Sequence, residues 1–281
     1  MENAYRVVDP STRAPALAGG SCSRFRPTGI LEGATGLPVG LHYLSQGSRG
    51  YSVMETSHLL ILGAPRSGTT LLATMIGRHT EIGILNEDHG WAMKRILGRR
   101  IVGNKRCIPN QIEMKKRSLF HLRFFKTIGW AKEYQSSEYS IEDYLSLPGI
   151  RIIGLIRDGN DVISSVMNRS EKRFRVASYR WRRSVDIIHE LKTRYSGIVL
   201  VTSFEDLVIN PQANMERITT FLGVEYQERM LEGPRYNPWY GESELNLNKV
   251  NRAKKEQTDF HLPTRFPATY EKYQELLSQA K

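Results

Sequence analysis

From residue 58 onward, short runs of consecutive apolar residues alternate with longer stretches in which apolar positions recur every three or four residues. Runs of the first kind mark strands buried on both faces, and stretches of the second kind mark amphipathic helices. Residues 58–62 (His-Leu-Leu-Ile-Leu) read as a first strand, followed by a helix over 69–78 that carries Leu71, Leu72, Met75 and Ile76 on one face. A short strand over 82–85, a helix over 90–97 and a third strand over 100–103, closing on Asn104 and Lys105, come next. Residues 151–156 (Arg-Ile-Ile-Gly-Leu-Ile) are a clear buried strand, with a helix over 160–168 behind it. A long helix over 174–195 has Ala177, Trp181, Ser184, Val185, Ile188 and Leu191 as its apolar stripe. Residues 197–202 are the last strong strand, and Pro211 suits the first turn of a helix that runs to Gly223. Such alternation predicts an α/β fold, a three-layer αβα domain around a central parallel sheet, with the second strand parallel to the first.

Two stretches break the pattern. Residues 1–55, rich in Gly, Ser, Pro and Arg without periodicity, read as an extension with little regular structure, leaving 56–281 as a single domain. Residues 111–144 are mixed, aromatic and basic, and Ser140-x-x-Asp143 resembles a helix-start capping pattern.

Composition narrows the classes. With 40% hydrophobic and 25% charged residues the chain is ordinary for a globular protein, and its apolar runs are strand-sized, so no membrane span is expected. The 2 cysteines, Cys22 and Cys107, are too few for a disulfide framework or a zinc cluster. That count, with no secretory or organellar leader pattern, points to a reducing compartment, the cytoplasm. A net charge of +11 suits a polyanionic partner, whether nucleic acid, acidic glycan or a multiply phosphorylated nucleotide. Lys115-Lys116-Arg117 and Lys172-Arg173-Phe174-Arg175 read as solvated faces, and nothing in the chain fixes an oligomeric state.

The candidate chemistry starts at the loop after the first strand, Gly63-Ala64-Pro65-Arg66-Ser67-Gly68-Thr69-Thr70. A glycine-bounded loop feeding a helix aims unpaired N–H groups and the positive end of the helix dipole at one point, which suits a phosphate-like anion. Gly63-x4-Gly68 matches the spacing of the ATPase loop, but Thr69 stands where that loop requires its lysine. Pro65, Arg66, Ser67, Gly68, Thr69 and Thr70 are therefore read as holding an anion through a forked cation, hydroxyls and backbone donors.

In open parallel sheets, ligands bind beyond the carboxyl ends of the strands. Arg66, Glu87, Lys105 and Arg157 are each predicted to follow one of four successive strands, giving a cation, a carboxylate and two further cations. Arg157-Asp158-Gly159 opens a predicted helix on which Ser165 and Arg169, four apart, share a face able to meet a second phosphate. Glu87 is the candidate general base, with a pKa expected to be raised beside an anion, and Lys105 the candidate neutraliser of developing charge. Asp88 and His89 are competing bases. No metal site is predicted.

Pro-Arg-Ser-Gly-Thr-Thr and the Arg157/Ser165/Arg169 group together resemble the sulfotransferases, closest in pattern to the tyrosylprotein sulfotransferases and related bacterial enzymes. The resemblance implies a P-loop NTPase-like sulfotransferase fold and 3′-phosphoadenosine 5′-phosphosulfate (PAPS) as co-substrate. It further implies Glu87 and Lys105 as catalytic residues, and a 3′-phosphate site at Arg157, Ser165 and Arg169. Leu247-Asn248-Lys249-Val250-Asn251-Arg252 is similar to a C-terminal segment that closes over the donor, with Asn248 in place of the family's serine. The family's Asp-Pro-Phe after the lysine is replaced by Arg106-Cys107-Ile108, so the acceptor side is expected to differ. A glycan, lipid-linked sugar or phenol, that is, a carbohydrate or small-molecule acceptor, is favoured over protein. A P-loop kinase or other phosphotransferase is the alternative. A nucleic-acid-binding module is a third class, with no motif to support it, and no nucleic-acid partner is expected.

Overall fold

A computed structural model describes residues 56–88, 98–115, 139–236 and 258–280. The predicted extension over 1–55, the predicted helix over 90–97, most of the mixed region and Asn248 lie outside the described residues. So do His89 and the segment around Asn248.

Five strands form one sheet: β1 (Ser57–Gly63), β2 (Ile82–Asn86), β3 (Ile101–Cys107), β4 (Arg151–Ile156) and β5 (Val199–Ser203). Every pairing is parallel and the order is β2-β3-β1-β4-β5. The second strand is therefore parallel to the first, as expected, but β3 lies between them. Helices α1 (Thr69–Ile76), α2 (Ile141–Leu145), α3 (Gly159–Ser170), α4 (Phe174–Arg194), α5 (Phe204–Ile209), α6 (Pro211–Leu222), α7 (Leu262–Arg265) and α8 (Pro267–Gln279) complete the regular structure, with 3₁₀ turns at Ser196–Ile198 and Glu228–Tyr236.

Residues alternate between the two faces of each strand, and each face has its own core. Leu59 and Ile61 of β1 pack with Leu72, Met75 and Ile76 of α1 and Met215 and Ile218 of α6. Leu60 and Leu62 pack with Val162, Ile163 and Val166 of α3, Trp181 and Ile188 of α4, and Tyr273 and Leu276 of α8. The stripe read on α4 is this second core, with Trp181 meeting the edge of Tyr273 at 5.8 Å. The capping pattern is also present: Ser140 Oγ accepts from the Asp143 amide at 3.3 Å, and Asp143 Oδ2 accepts from the Ser140 amide at 2.7 Å.

At the β5 edge, Lys192 Nζ donates to the Val199 carbonyl at 3.0 Å and Arg217 to the Val201 carbonyl at 3.4 Å. Charged side chains thereby occupy carbonyls that an open edge would offer to another strand. The last strand begins at Val199 rather than 197, because Ser196–Ile198 winds into a 3₁₀ turn first.

One correction bears on the site. The sequence pattern ends the third strand at 103 with Lys105 beyond it; instead β3 runs to Cys107, and Asn104, Lys105 and Arg106 are buried strand residues. In-register pairing of Ile61 with Lys105 and Gly63 with Cys107 carries β3 to the same end as β1.

Candidate active site

The chain leaves β1 on one side toward β2 and leaves β4 on the other toward β5, with α1 and α3 on opposite faces. This is a topological switch point, where open parallel sheets form a crevice. The predicted anion loop lies at that crevice. Gly63 is required by close packing: a Cβ there would sit 2.6 Å from Ser67 Oγ and 2.8 Å from the Leu155 carbonyl. Gly68, the N-cap of α1, has φ 96°, and a Cβ would run into the Phe204 ring at 2.4 Å. Ser67 closes the turn, with its amide and hydroxyl donating to the Ala64 carbonyl at 3.1 and 2.8 Å. No side chain caps the N-terminus of α1, and its first turn carries no acid, so its amide dipoles face the crevice uncompensated.

Arg66 has φ 74°, a left-handed conformation that costs a non-glycine residue of the order of 1–3 kcal/mol. Two contacts hold it there. Its carbonyl accepts from Arg157 Nη1 at 3.1 Å, and its Nε donates to Ser165 Oγ at 3.1 Å. Arg66, Arg157 and Ser165, 91 and 99 residues apart along the chain, therefore meet in one cluster. Arg157 is steadied by Asp161 at 3.3 Å and lies 4.2 Å over the Phe204 ring. Arg169 sits one turn beyond Ser165 and is exposed.

Beneath Arg157, Asp158 caps α3 through the amides of Asn160 and Asp161, and its own amide donates to Glu205 Oε1 at 3.0 Å. Burial raises both carboxyls above their ordinary values, and Glu205 Oε2 is buried without a hydrogen-bond partner. In the sequence, Phe204 and Glu205 stand only as residues between the last strand and a helix. A phenylalanine in that place looks like core, and only the fold brings it beneath the loop.

The second half of the site is at the β2–β3 end. Glu87 follows β2 with φ 63°, and its amide donates to the Lys105 carbonyl at 2.9 Å. Lys105 Nζ is 2.5 Å from Glu87 Oε1; the lysine side chain is 1% exposed and the glutamate 38%. Burial pushes the Glu87 carboxyl up, but the Lys105 ammonium, a hydrogen bond from Gln111 and the Arg106 charge outweigh it and hold the group below the ordinary carboxylate value. The direction is downward because a cation, Lys105, faces the carboxylate.

Cys107 joins the two halves, its Sγ lying 3.8 Å from Thr69 Oγ1 and 4.0 Å from Glu87 Oε1. The thiol is buried, which raises its pKa. Successive β3 residues alternate around Glu87. Lys105 and Cys107 meet its carboxylate, whereas Asn104 and Arg106 bond the backbone of Glu87 and Asp88 from the other face. Among the described residues no cluster of His, Cys, Asp and Glu fit to hold a metal occurs, and no helix is long and apolar enough to cross a membrane.

Comparison with known proteins finds likeness in part of the sequence and in the fold. A family model described as "Sulfotransferase family" matches residues 144–228, which include β4, the Arg157 turn and Ser165. Protein-tyrosine sulfotransferase A of Caenorhabditis elegans is 22% identical over 69% of this chain and 56% of its own length. Protein-tyrosine sulfotransferase of Drosophila melanogaster is 25% identical over 71% of this chain and 44% of its own. The sulfotransferase domain of the Synechococcus olefin synthase superposes with a TM-score of 0.51 at 18% identity, covering 82% of this chain and 98% of that domain. That of the curacin biosynthetic pathway gives 0.50 at 15% identity, with 79% and 98% covered. The chain is thus similar to sulfotransferases in part of its sequence and in its fold.

The chain spans about half the length of the curated relatives it matches. The structural likeness carries the fold alone, a parallel sheet flanked by helices. Arg106 and Cys107, which depart from the family pattern after the lysine, are here built into the site rather than into an unrelated surface.

Proposed function

We propose that the protein transfers a sulfuryl group from PAPS to an acceptor hydroxyl by in-line displacement, with Glu87 as base. The observation that carries this reading is the convergence, at the carboxyl end of the sheet, of a two-arginine cluster with a glutamate–lysine pair. Arg66, Arg157 and Ser165 meet through 3.1 Å contacts, and Cys107 ties Thr69 of the same loop to Glu87. Arg66 with the amides of 68–70 suits the 5′-phosphosulfate. Arg157 and Ser165, with Arg169 one turn beyond, suit the 3′-phosphate that sets PAPS apart from ATP.

The acceptor oxygen attacks sulfur as the bond between sulfur and the bridging phosphate oxygen breaks. Its proton passes to Glu87, and 3′-phosphoadenosine 5′-phosphate (PAP) leaves. Lys105 neutralises charge growing on the bridging oxygen. In the resting protein Lys105 is engaged by Glu87, keeping that group ionised but weakly basic. An arriving anionic donor competes for the ammonium, and loss of that contact raises the Glu87 pKa toward the range useful for proton abstraction.

The acceptor is proposed to be a glycan, lipid-linked sugar or small phenol in preference to a protein. Asn248 is proposed as a donor contact from a closing segment. Residues 56–281 are proposed as the catalytic domain, and the cytoplasm as its compartment. Transfer of labelled sulfate from PAPS to a panel of such acceptors, compared between wild type and Glu87→Gln, tests the reading. Labelled product with wild type and almost none with the variant is expected; transfer of labelled phosphate from ATP instead would favour the phosphotransferase.

A further inference from the structure

We propose that Arg106 is a positioning residue for Glu87, gripping the Glu87–Asp88 backbone from one face of β3 so that the carboxylate is presented to Lys105 at the other. The inference rests on reading Glu87 as the base. Its starting point is a buried charge: Arg106 is 1% exposed. Removing a guanidinium from water costs several kcal/mol unless its donors are well used, and a neutral side chain could fill the same space without that cost.

Its terminal nitrogens reach two neighbouring segments. Nη1 donates to the carbonyls of Glu87, at 3.2 Å, and of Asp88. Nη2 donates to the Gln111 carbonyl at 2.5 Å, while the Gln111 side chain accepts from the Cys107 amide at 2.7 Å and also bonds the Glu87 carboxylate. Asn104, two residues earlier on the same face, brackets Asp88 by accepting from its amide at 3.2 Å and donating to its carbonyl at 3.0 Å, and it is itself fixed by the Tyr144 hydroxyl at 2.9 Å.

A clamp is needed because Glu87 adopts φ 63° without being glycine. A glycine would relax there but would carry no carboxylate. The turn must hold its strained shape and still deliver a charged group to the opposite face of the neighbouring strand, and the forked guanidinium supplies the restraint. The groups facing the carboxylate are Lys105, Gln111 and Cys107, with the Arg106 charge farther off; Asp88 adjoins it in the chain.

The test monitors the Glu87 carboxyl directly, by ¹³C NMR titration assigned with Glu87→Gln, in wild type, Arg106→Leu and Arg106→Lys. In wild type the group should titrate below the ordinary carboxylate range. Both variants should move its midpoint upward, and Arg106→Lys decides the matter because it keeps the charge and loses only the fork. PAP affinity by calorimetry should stay within about threefold, since the loop end is untouched. Turnover should fall at least about tenfold in Arg106→Lys, and by less than about twofold when Glu87→Gln is already present, because the arginine acts through the glutamate. An unmoved midpoint in Arg106→Lys, or losses that multiply in the double variant, overturns the proposal. Failure of wild type to bind PAP, or full turnover by Glu87→Gln, would instead strike the donor or base reading, while the titration still reports on Arg106.

Discussion

At the β1–β4 end of the site the anion-facing groups come from segments just past a strand: a glycine-bounded loop, a helix N-terminus and an arginine at the mouth of the next helix. At the β2–β3 end they come from inside a strand, with Lys105 and Cys107 on one face and Asn104 and Arg106 on the other. The first construction is local, so its geometry depends on a few consecutive residues and two long-range hydrogen bonds. The second depends on register, since a one-residue slip of β3 would exchange the lysine that meets the carboxylate for the arginine that holds the backbone. On the proposed reading, grip on a donor and control of a base are separable in this fold, and each can be perturbed alone.

The largest effect is expected from Glu87→Gln, which should lower turnover by about 10²–10⁴-fold while leaving PAP affinity within about threefold. A comparable loss of affinity would break the division between the two ends. Arg66→Ala should do the reverse. Charge-assisted hydrogen bonds are worth about 1.5–3 kcal/mol, so PAP affinity measured by calorimetry should weaken by about 10- to 100-fold.

Gly68→Ala should strain a residue at φ 96° and drive a methyl into Phe204, costing about 1–3 kcal/mol and roughly 2–4 °C of melting temperature per kcal/mol. The Glu87 carboxyl should titrate as in wild type, because the loop end alone is disturbed. The smallest effect belongs to Glu205, whose raised pKa means that its charged form weakens the folded state. That penalty is present above the folded pKa and disappears as pH falls below the unfolded one. Glu205→Gln should therefore melt slightly higher than wild type at neutral and mildly alkaline pH, and the advantage should vanish in acid. Glu87 has the opposite sign: its depressed pKa stabilises the fold above the unfolded value, and that contribution is lost as pH falls through the folded one.

The same contrast explains what could be read in the chain. Gly63, Arg66, Gly68 and Thr69 were legible because loop chemistry is encoded in consecutive residues, and Arg157 with Ser165 because helical spacing is regular. β1 and β4 were legible as unbroken apolar runs. The end of β3 was not, because Asn104, Lys105 and Arg106 are polar yet buried, their burial supported by partners on another strand and its turn. Periodicity marks a strand without naming its neighbour, so the position of β3 between β2 and β1 was out of reach, and with it the roles of Arg106, Gln111 and Cys107. Phe204 was hidden for a related reason, since its contact with Gly68 and Arg157 exists only after β5 has paired with β4.

The proposal stands or falls on Arg66 and Arg157, at the β1–β4 end, gripping one adenosine nucleotide that bears a 3′-phosphate. Isothermal calorimetry of the wild-type chain with PAP, ADP and ATP, each with and without magnesium, tests it most directly. The account predicts that PAP binds at least about tenfold more tightly than ADP, because the 3′-phosphate gains at least one charge-assisted contact, and that magnesium makes no difference. Equal affinity for PAP and ADP, or tight binding of ATP that requires magnesium, would contradict it.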